Sequence, residues 1–188
     1  FLDGDADEAT RHEALLLLIE IHNRANEYDK SLEYYAQLSP EEVTKVVDAL
    51  LASTQEAFEA KKYAEASQLA TRSVGLFKLR PPSVETRKMI ANVFEADQKL
   101  VQAAEIRENL GELDTAAKLL ETANAYDKLL VLYPKMGPKY RPRWMALRRQ
   151  QIGPQVAACE KELTSSPEKA MASANSCLQT LESIEGNA

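Results

Sequence analysis

Apolar residues recur along most of this 188-residue chain at spacings of three and four, the period of an α-helix with one buried face. Tyr34-Tyr35 and Val46-Val47 fall inside this helical periodicity, and no segment alternates convincingly as a half-buried strand would. Ala, Leu, Glu and Lys dominate and glycine numbers only 6, which also favours helix. The pattern predicts an all-α protein of about eleven helices.

Helix start signals agree with this periodicity. Ser39 precedes Pro40 and lies three residues before Glu42, which predicts a capping box with proline at the first helical position. Pro81-Pro82-Ser83 is expected to end one helix and cap the next, because proline disfavours helical geometry in the residue before it. Ser166-Pro167-Glu168 has the same order of cap and proline, so a further helix start is predicted there.

Five segments repeat one side-chain pattern: a polar or glycine turn, a large apolar residue, and most often a small residue three positions later. A bulky residue at the start of a helix fills the gap to the previous helix, and a small residue one turn later lets the two helices approach closely. We therefore expect a helix to start at each bulky residue. These residues are Tyr28, Tyr63, Leu100, Leu113 and Tyr126, followed three positions later by Ser31, Ala66, Ala103, Ala116 and Leu129.

This pattern resembles the second helix of the tetratricopeptide-repeat (TPR) family, which opens with an aromatic residue and has alanine three positions later. Residues 61–73 (KKYAEASQLATRS) match best, and the first three bulky residues lie 35 and 37 positions apart, near the family's 34. Leu50 and Thr54 stand where the family's first helix has tryptophan and glycine. The resemblance implies a right-handed αα-superhelix, a TPR-like α-solenoid whose extended surface recognises other proteins.

From Leu100 onward the spacing shortens to 13 residues, so each step there holds one short helix. In this respect the chain is similar to the α-solenoid arms of clathrin, coatomer and intraflagellar-transport subunits. We assign residues 1–134 to a TPR-like helical-repeat array. Residues 135–188 are expected to pack on the same domain as a cap, made of a basic loop, a short helix and a C-terminal helical hairpin from Pro154 to Ile184.

Little in the sequence points to catalysis or metal binding. His12 and His22 lie ten residues apart on one predicted helix, about 15 Å along its axis, too far to share a metal ion without another element. No phosphate-binding glycine loop or zinc-protease motif occurs. Cys159 and Cys177 are about 9 Å out of register on the predicted hairpin, which turns near Ser165, so we interpret them as separate buried thiols. We expect no enzymatic activity, cofactor or metal.

One segment contrasts with the acidic remainder of the chain. Between Asp127 and Glu160 there are seven cations and no acidic side chain, although the formal net charge of the whole chain is -6, so the rest carries -13. Such a segment is expected to meet an anionic partner: a phosphate backbone, an acidic protein or a lipid headgroup. The alternative is that these cations pair with acidic helices of the same protein. The candidate binding residues are Lys135, Lys139, Tyr140, Arg141, Arg143, Arg148 and Arg149, with Tyr140 available for stacking.

Prolines set the expected backbone of this segment. Three of them lie between positions 134 and 142, which predicts an extended loop there, followed by a short helix from Arg143 to Gln151. On that helix Trp144 and Leu147 are expected to face inward, with Met145 as a further candidate. Arg148 and Arg149 are expected to project into solvent.

Together these features predict a non-enzymatic protein–protein interaction scaffold or adaptor, a subunit of a larger assembly that binds peptide segments or other subunits. The alternative is a nucleic-acid-associated, ribonucleoprotein subunit that binds through residues 135–149, although the acidic net charge weighs against it. The longest apolar run, Ala14 to Ile19, is too short to span a membrane. The compartment stays open: intracellular, whether cytoplasmic or organellar after cleavage of a targeting peptide.

Overall fold

The computed structural model describes residues 8–25 and 27–163, together with 168, 171–172, 174–175 and 178. Within these residues the chain forms nine α-helices, one short 3-10 helix and no β-strand, which confirms the all-α prediction. The count of about eleven helices is not reached in this part of the chain. The helices are α1 (Glu8–Arg24), α2 (Tyr28–Tyr35), α3 (Pro40–Glu59), α4 (Tyr63–Leu76), α5 (Val84–Ala96), α6 (Leu100–Asn109), α7 (Leu113–Thr122), α8 (Tyr126–Lys135) and α9 (Arg141–Leu163), with the 3-10 helix Pro138–Tyr140 before α9.

The chain divides into two compact units, Phe1–Gly111 and Glu112–Ala188. In the first unit α1 packs against α2, α3 against α4 and α5 against α6, so that three helical hairpins follow one another. Successive hairpins are also in contact, because α4 packs against α2 and α5, and α3 packs against α5. In the second unit α8 packs against both α7 and α9.

One tight turn recurs before the second helices of the hairpins and before α7 and α8. The residue that caps each of these helices has φ between -90° and -82° and ψ between 55° and 64°. Before four of these caps stands a residue in the left-handed region, with φ between 53° and 77°: Lys61, Gln98, Gly111 and Asn124. The N–H of Lys62 donates to the carbonyl of Ala57 at 2.9 Å, and the N–H of Lys61 donates to that of Phe58 at 2.9 Å. This pair of bonds closes a helix C-terminus as a Schellman motif.

The predicted helix starts are confirmed. Helices α2, α4, α6, α7 and α8 begin at the five bulky residues of the sequence pattern, Tyr28, Tyr63, Leu100, Leu113 and Tyr126. The residue three positions later is buried in every case: Ser31, Ala66, Ala103, Ala116 and Leu129. The three alanines have no exposed surface (0%), as expected where a small side chain lets two helices approach closely.

Two predicted N-caps are also present. The Ser39 hydroxyl accepts a hydrogen bond from the N–H of Glu42 at 3.3 Å, and the Glu42 carboxylate accepts from the N–H of Ser39 at 2.9 Å, completing the capping box. Hydrogen bonds from Ser39 lower the pKa of Glu42. The Ser83 hydroxyl accepts from the N–H of Thr86 at 3.1 Å. The third predicted cap, Ser166, lies outside the described residues.

The left-handed residues give a test of the repeated turn. Replacing Lys61 by glycine is expected to stabilise the protein by roughly 0.5–1 kcal/mol, because a left-handed backbone costs an L-residue about 1 kcal/mol that glycine avoids. Urea unfolding followed by circular dichroism measures the change. The matched control is Lys62→Gly at the next residue, where φ is -86° and glycine relieves no strain. This account of the turn would be contradicted if both variants stabilised the protein equally, or if neither variant stabilised it.

Candidate anion-binding surface

The basic segment is helical, which corrects the extended loop predicted from Pro134 to Pro142. Pro134 lies in the last turn of α8, Pro138 opens the 3-10 helix, and Pro142 is the second residue of α9. The first N–H groups of a helix have no intrahelical acceptor, so Pro138 and Pro142 remove no helical hydrogen bond. Gly137 makes the bend between α8 and the 3-10 helix with φ 93°, a value that favours glycine.

Pro134 is accommodated by a different device. It has no N–H to donate to the carbonyl of Leu130 four residues earlier, so that carbonyl lacks its usual helical partner. The indole Nε1–H of Trp144 donates to the Leu130 carbonyl instead, at 3.1 Å. Trp144 is half-buried, as its predicted inward orientation requires. A long-range hydrogen bond thus replaces the local one and joins α9 to α8.

Helix α9 continues through Pro154, so the prediction of a short helix ending at Gln151 is wrong. Proline in a helix loses one hydrogen bond and clashes with the carbonyl four residues earlier and with the residue before it. Here the last of these clashes is reduced, because the residue before Pro154 is Gly153, which has no Cβ. The predicted hairpin turn near Ser165 lies outside the described residues, as do Cys177 and the side chain of Cys159.

All seven candidate residues lie in the second unit, on three consecutive helical elements. Lys135 ends α8, Lys139 and Tyr140 belong to the 3-10 helix, and the four arginines lie on α9. Lys135 is exposed at a helix C-terminus, where a cation interacts favourably with the helix dipole. The other six residues differ in what they contact.

Two stacked tyrosines organise this part of the unit. The rings of Tyr133 and Tyr140 lie 5.8 Å apart between centroids and are nearly parallel, at 15°. The Tyr133 hydroxyl donates to Glu121 at 2.6 Å, and the Tyr140 hydroxyl donates to Asp114. Burial and the hydrogen bond to Glu121 raise the pKa of Tyr133 to about 12. Tyr140 is therefore bound to α7 through its hydroxyl and to α8 through its ring.

Cations surround Tyr140. The Nζ of Lys139 lies 4.9 Å from the centre of the Tyr140 ring, and the guanidinium carbon of Arg143 lies 5.8 Å from it. Arg143 also forms an ion pair with Glu121 at 3.0 Å, on the same carboxylate oxygen that accepts from Tyr133. Of the two interpretations of the basic segment, pairing with an acidic helix of the same protein therefore applies to Arg143.

Arg148 does not project outward, which corrects its predicted orientation. Its guanidinium carbon lies 5.7 Å from the centre of the Trp144 ring, and its Nη1 donates to Gln151 at 3.2 Å. Its Nε is buried and has no hydrogen-bond partner. Residues four apart share a helix face, so Arg148 lies between Trp144 and the buried Ile152. Arg149 is exposed, as predicted.

Three of the candidate cations remain open to solvent. Lys139, Arg141 and Arg149 are exposed, and none of them forms an ion pair with any residue that the structure describes. Lys139 lies on the 3-10 helix beside the partly exposed Tyr140, and Arg141 and Arg149 lie on α9. We call this set of three cations the basic surface.

One polar cluster lies outside the sequence prediction. The Nζ of Lys99 donates to the Ser67 hydroxyl at 2.6 Å and lies 3.1 Å from the Asp97 carboxylate. Burial opposes ionisation of Asp97, but hydrogen bonds from Ser67 and Lys99 outweigh it and lower the pKa. Ser67 has no exposed surface (0%), so the cluster joins α4 to the turn between α5 and α6 and presents no accessible nucleophile. Ser67 and Lys99 are 32 residues apart in the sequence, so no short motif could reveal this cluster.

The histidines lie apart, each beside one carboxylate. His12 Nε2 is 3.2 Å from Glu42, and His22 Nδ1 is 2.7 Å from Glu27. The described part of the chain holds no group of three or more His, Cys, Asp or Glu side chains placed to bind a metal. None of its helices combines the length and the apolar character needed to cross a membrane.

No protein-family model, no curated protein and no solved structure matches this chain. Its class is therefore defined by its helices and surfaces alone.

The hydrogen bond between Trp144 and Leu130 can be tested by a double-mutant cycle. Trp144→Phe is expected to destabilise the protein by about 1–3 kcal/mol, because it leaves the Leu130 carbonyl unsatisfied. In the Pro134→Ala background the restored N–H can bond that carbonyl, so the same substitution should cost less. Urea unfolding of the four proteins gives the coupling energy. Equal costs in both backgrounds would show that Pro134 and Trp144 act independently.

The raised pKa of Tyr133 gives a pH dependence with a definite sign. The neutral phenol is favoured in the folded state, so its stabilising contribution is complete below pH 10 and is lost as the pH rises towards 12. The stability advantage of the wild type over Tyr133→Phe should therefore be constant up to about pH 10 and shrink above it. Urea unfolding of both proteins at several pH values measures this difference. An advantage that does not change with pH would contradict the buried hydrogen bond to Glu121.

Proposed function

We propose that this protein is a non-enzymatic helical-repeat scaffold or adaptor, a TPR-like α-solenoid that joins a larger protein assembly. The observation that carries the proposal is that α1 exposes the apolar side chains Leu17 and Ile21, and that the position equivalent to Ile21 in α5 is buried. Both are the first helices of their hairpins, and their closing hydrogen bonds align them. The N–H of Glu27 donates to the carbonyl of His22 at 2.9 Å, as that of Lys99 donates to Phe94 at 2.8 Å.

In this alignment Ile21 of α1 corresponds to Val93 of α5, and Leu18, which is partly buried, corresponds to Ile90. Ile90 and Val93 have no exposed surface (0%), and α5 packs against α3, α4 and α6. Ile21 is 51% exposed and the neighbouring Leu17 is 58% exposed, while the main helix neighbour of α1 in the described residues is α2. Helices that are apolar on both sides are normally buried. A further helix is therefore expected against this side of α1.

An α-solenoid grows by adding hairpins side by side, each covering an apolar side of its neighbour. The recurring turn and the contacts between successive hairpins in the first unit support such an array. In the proposed assembly a helix of another subunit covers Leu17 and Ile21, in the way that preceding helices cover α5. The right-handed superhelix remains an implication of the resemblance to TPR proteins.

A nucleic-acid-associated role is the second candidate, favoured by the basic surface. Phosphate binding by lysine and arginine releases counterions and weakens steeply with salt. The acidic net charge of the chain opposes this role, since the field around the protein repels a polyanion.

Affinity purification of the tagged 188-residue chain from its native cells, at low salt and with mass spectrometry, tests the scaffold role. We expect one or more proteins to co-purify in near-stoichiometric amounts. The double variant Leu17→Lys/Ile21→Lys should reduce their recovery about tenfold, because it places charges in a buried contact. The control Val84→Lys/Val131→Lys changes two equally exposed apolar residues elsewhere, 50% and 61% exposed, and should leave recovery unchanged.

Three results would contradict the proposal. Neither double variant could reduce protein recovery, which would exclude α1 as the contact. Both could reduce it to the same extent, which would indicate non-specific association. Nuclease treatment could release the bound material, which would favour the nucleic-acid-associated role.

A further inference from the structure

We propose that the basic surface, Lys139, Arg141 and Arg149, is a docking site for an acidic polypeptide segment of a partner protein. This inference rests on the proposed scaffold function, because both require that the protein has a protein partner. It uses a surface of the second unit and does not involve α1.

Two carboxylates of the second unit, those of Asp114 and Glu121, already accept hydrogen bonds from other side chains. Asp114 accepts the hydroxyl of Tyr140. Glu121 accepts the hydroxyl of Tyr133 at 2.6 Å and the guanidinium of Arg143 at 3.0 Å. The sequence between Asp127 and Glu160 has no acidic side chain. None of the three cations forms an ion pair with a carboxylate among the described residues, so a carboxylate from outside can pair with them.

Helix α9 fixes the backbone spacing of two of the cations. Arg141 and Arg149 are eight residues apart on α9, which separates their Cα atoms by about 12 Å along the axis and about 80° around it. Lys139 precedes α9 by two residues, and its Nζ lies 4.9 Å from the centre of the anchored Tyr140 ring. This spacing matches acidic residues two turns apart on a partner helix, or about four residues apart in an extended segment.

The chemistry favours an acidic polypeptide over a nucleic acid. Proteins that bind single-stranded nucleic acid combine cations with aromatic rings on which bases stack. Here the Tyr140 ring stacks on Tyr133, and the indole of Trp144 is bonded to Leu130 and lies beside Arg148. The chain as a whole also repels a polyanion, whereas a segment with two or three carboxylates carries far less charge.

Fluorescence anisotropy of the 188-residue chain with a labelled peptide tests the site. The probe is an alanine-rich helical peptide of about 16 residues with glutamate at every fourth position. We expect Arg141→Glu/Arg149→Glu to weaken binding at least about tenfold and the wild-type affinity to fall as salt is raised from about 0.05 to 0.2 M. This variant should fold normally, because a carboxylate at the first residue of α9 is favourable near a helix N-terminus.

The matched control is Lys45→Glu/Lys78→Glu, two exposed lysines of the first unit, which changes the net charge by the same amount and should alter affinity less than about twofold. The proposal is overturned if the control weakens binding equally, or if the wild type does not bind the peptide. It is also overturned if an oligouridylate of about ten nucleotides, or phosphatidylserine vesicles, bind more tightly than the peptide does. Leu17→Lys/Ile21→Lys should still bind the peptide. A negative peptide result with partner recovery that depends on α1 would remove this inference and leave the scaffold role intact.

Discussion

Close approach of two helices at a small side chain is the constraint on which the hairpins depend. In α4 and α6 the fourth residue is an alanine with no exposed surface, and the helix begins three residues before it, directly after the turn. A shift of the turn by one residue would rotate that helix by about 100° and carry a different side chain into the contact. The turn and the alanine must therefore agree in register. The required register keeps Lys61 and Gln98 in the left-handed backbone conformation, although glycine would be less strained at these positions.

Local features could be predicted from the sequence and long-range ones could not. The five helix starts and the capping box at Ser39 depend on residues within about one helical turn, so their pattern is visible in the chain. Pro134 predicts a break by the same local reasoning, but the partner that compensates for it is Trp144, ten residues away. The continuity of α9 through Pro154 also escapes this reasoning, although Gly153 before it lacks the Cβ that would clash with the proline ring.

The charge pattern of the sequence indicates where the basic segment lies. It does not show which cations of the segment pair internally and which stay unpaired. Counting charges cannot distinguish a cation beside a carboxylate from one that has none. The two interpretations, internal pairing and contact with a partner, apply to different residues. Arg143 pairs with Glu121, and Arg148 folds back over Trp144. Glu121 also accepts the Tyr133 hydroxyl, and the three cations of the basic surface have no ion-pair partner among the residues described.

Isolated apolar side chains on a surface need no explanation, and Val131 at 61% exposure is one of these. Helix α1 differs because its apolar residues form two stripes. Leu15 and Ile19 belong to the core cluster shared with α2, α3 and α4, and they satisfy the inward contact by themselves. Leu17 and Ile21 are four residues apart on another face, so they form a second stripe that the described part of the first unit does not bury. Two apolar stripes are typical of a helix with neighbours on both sides, and the described residues cover one of these sides.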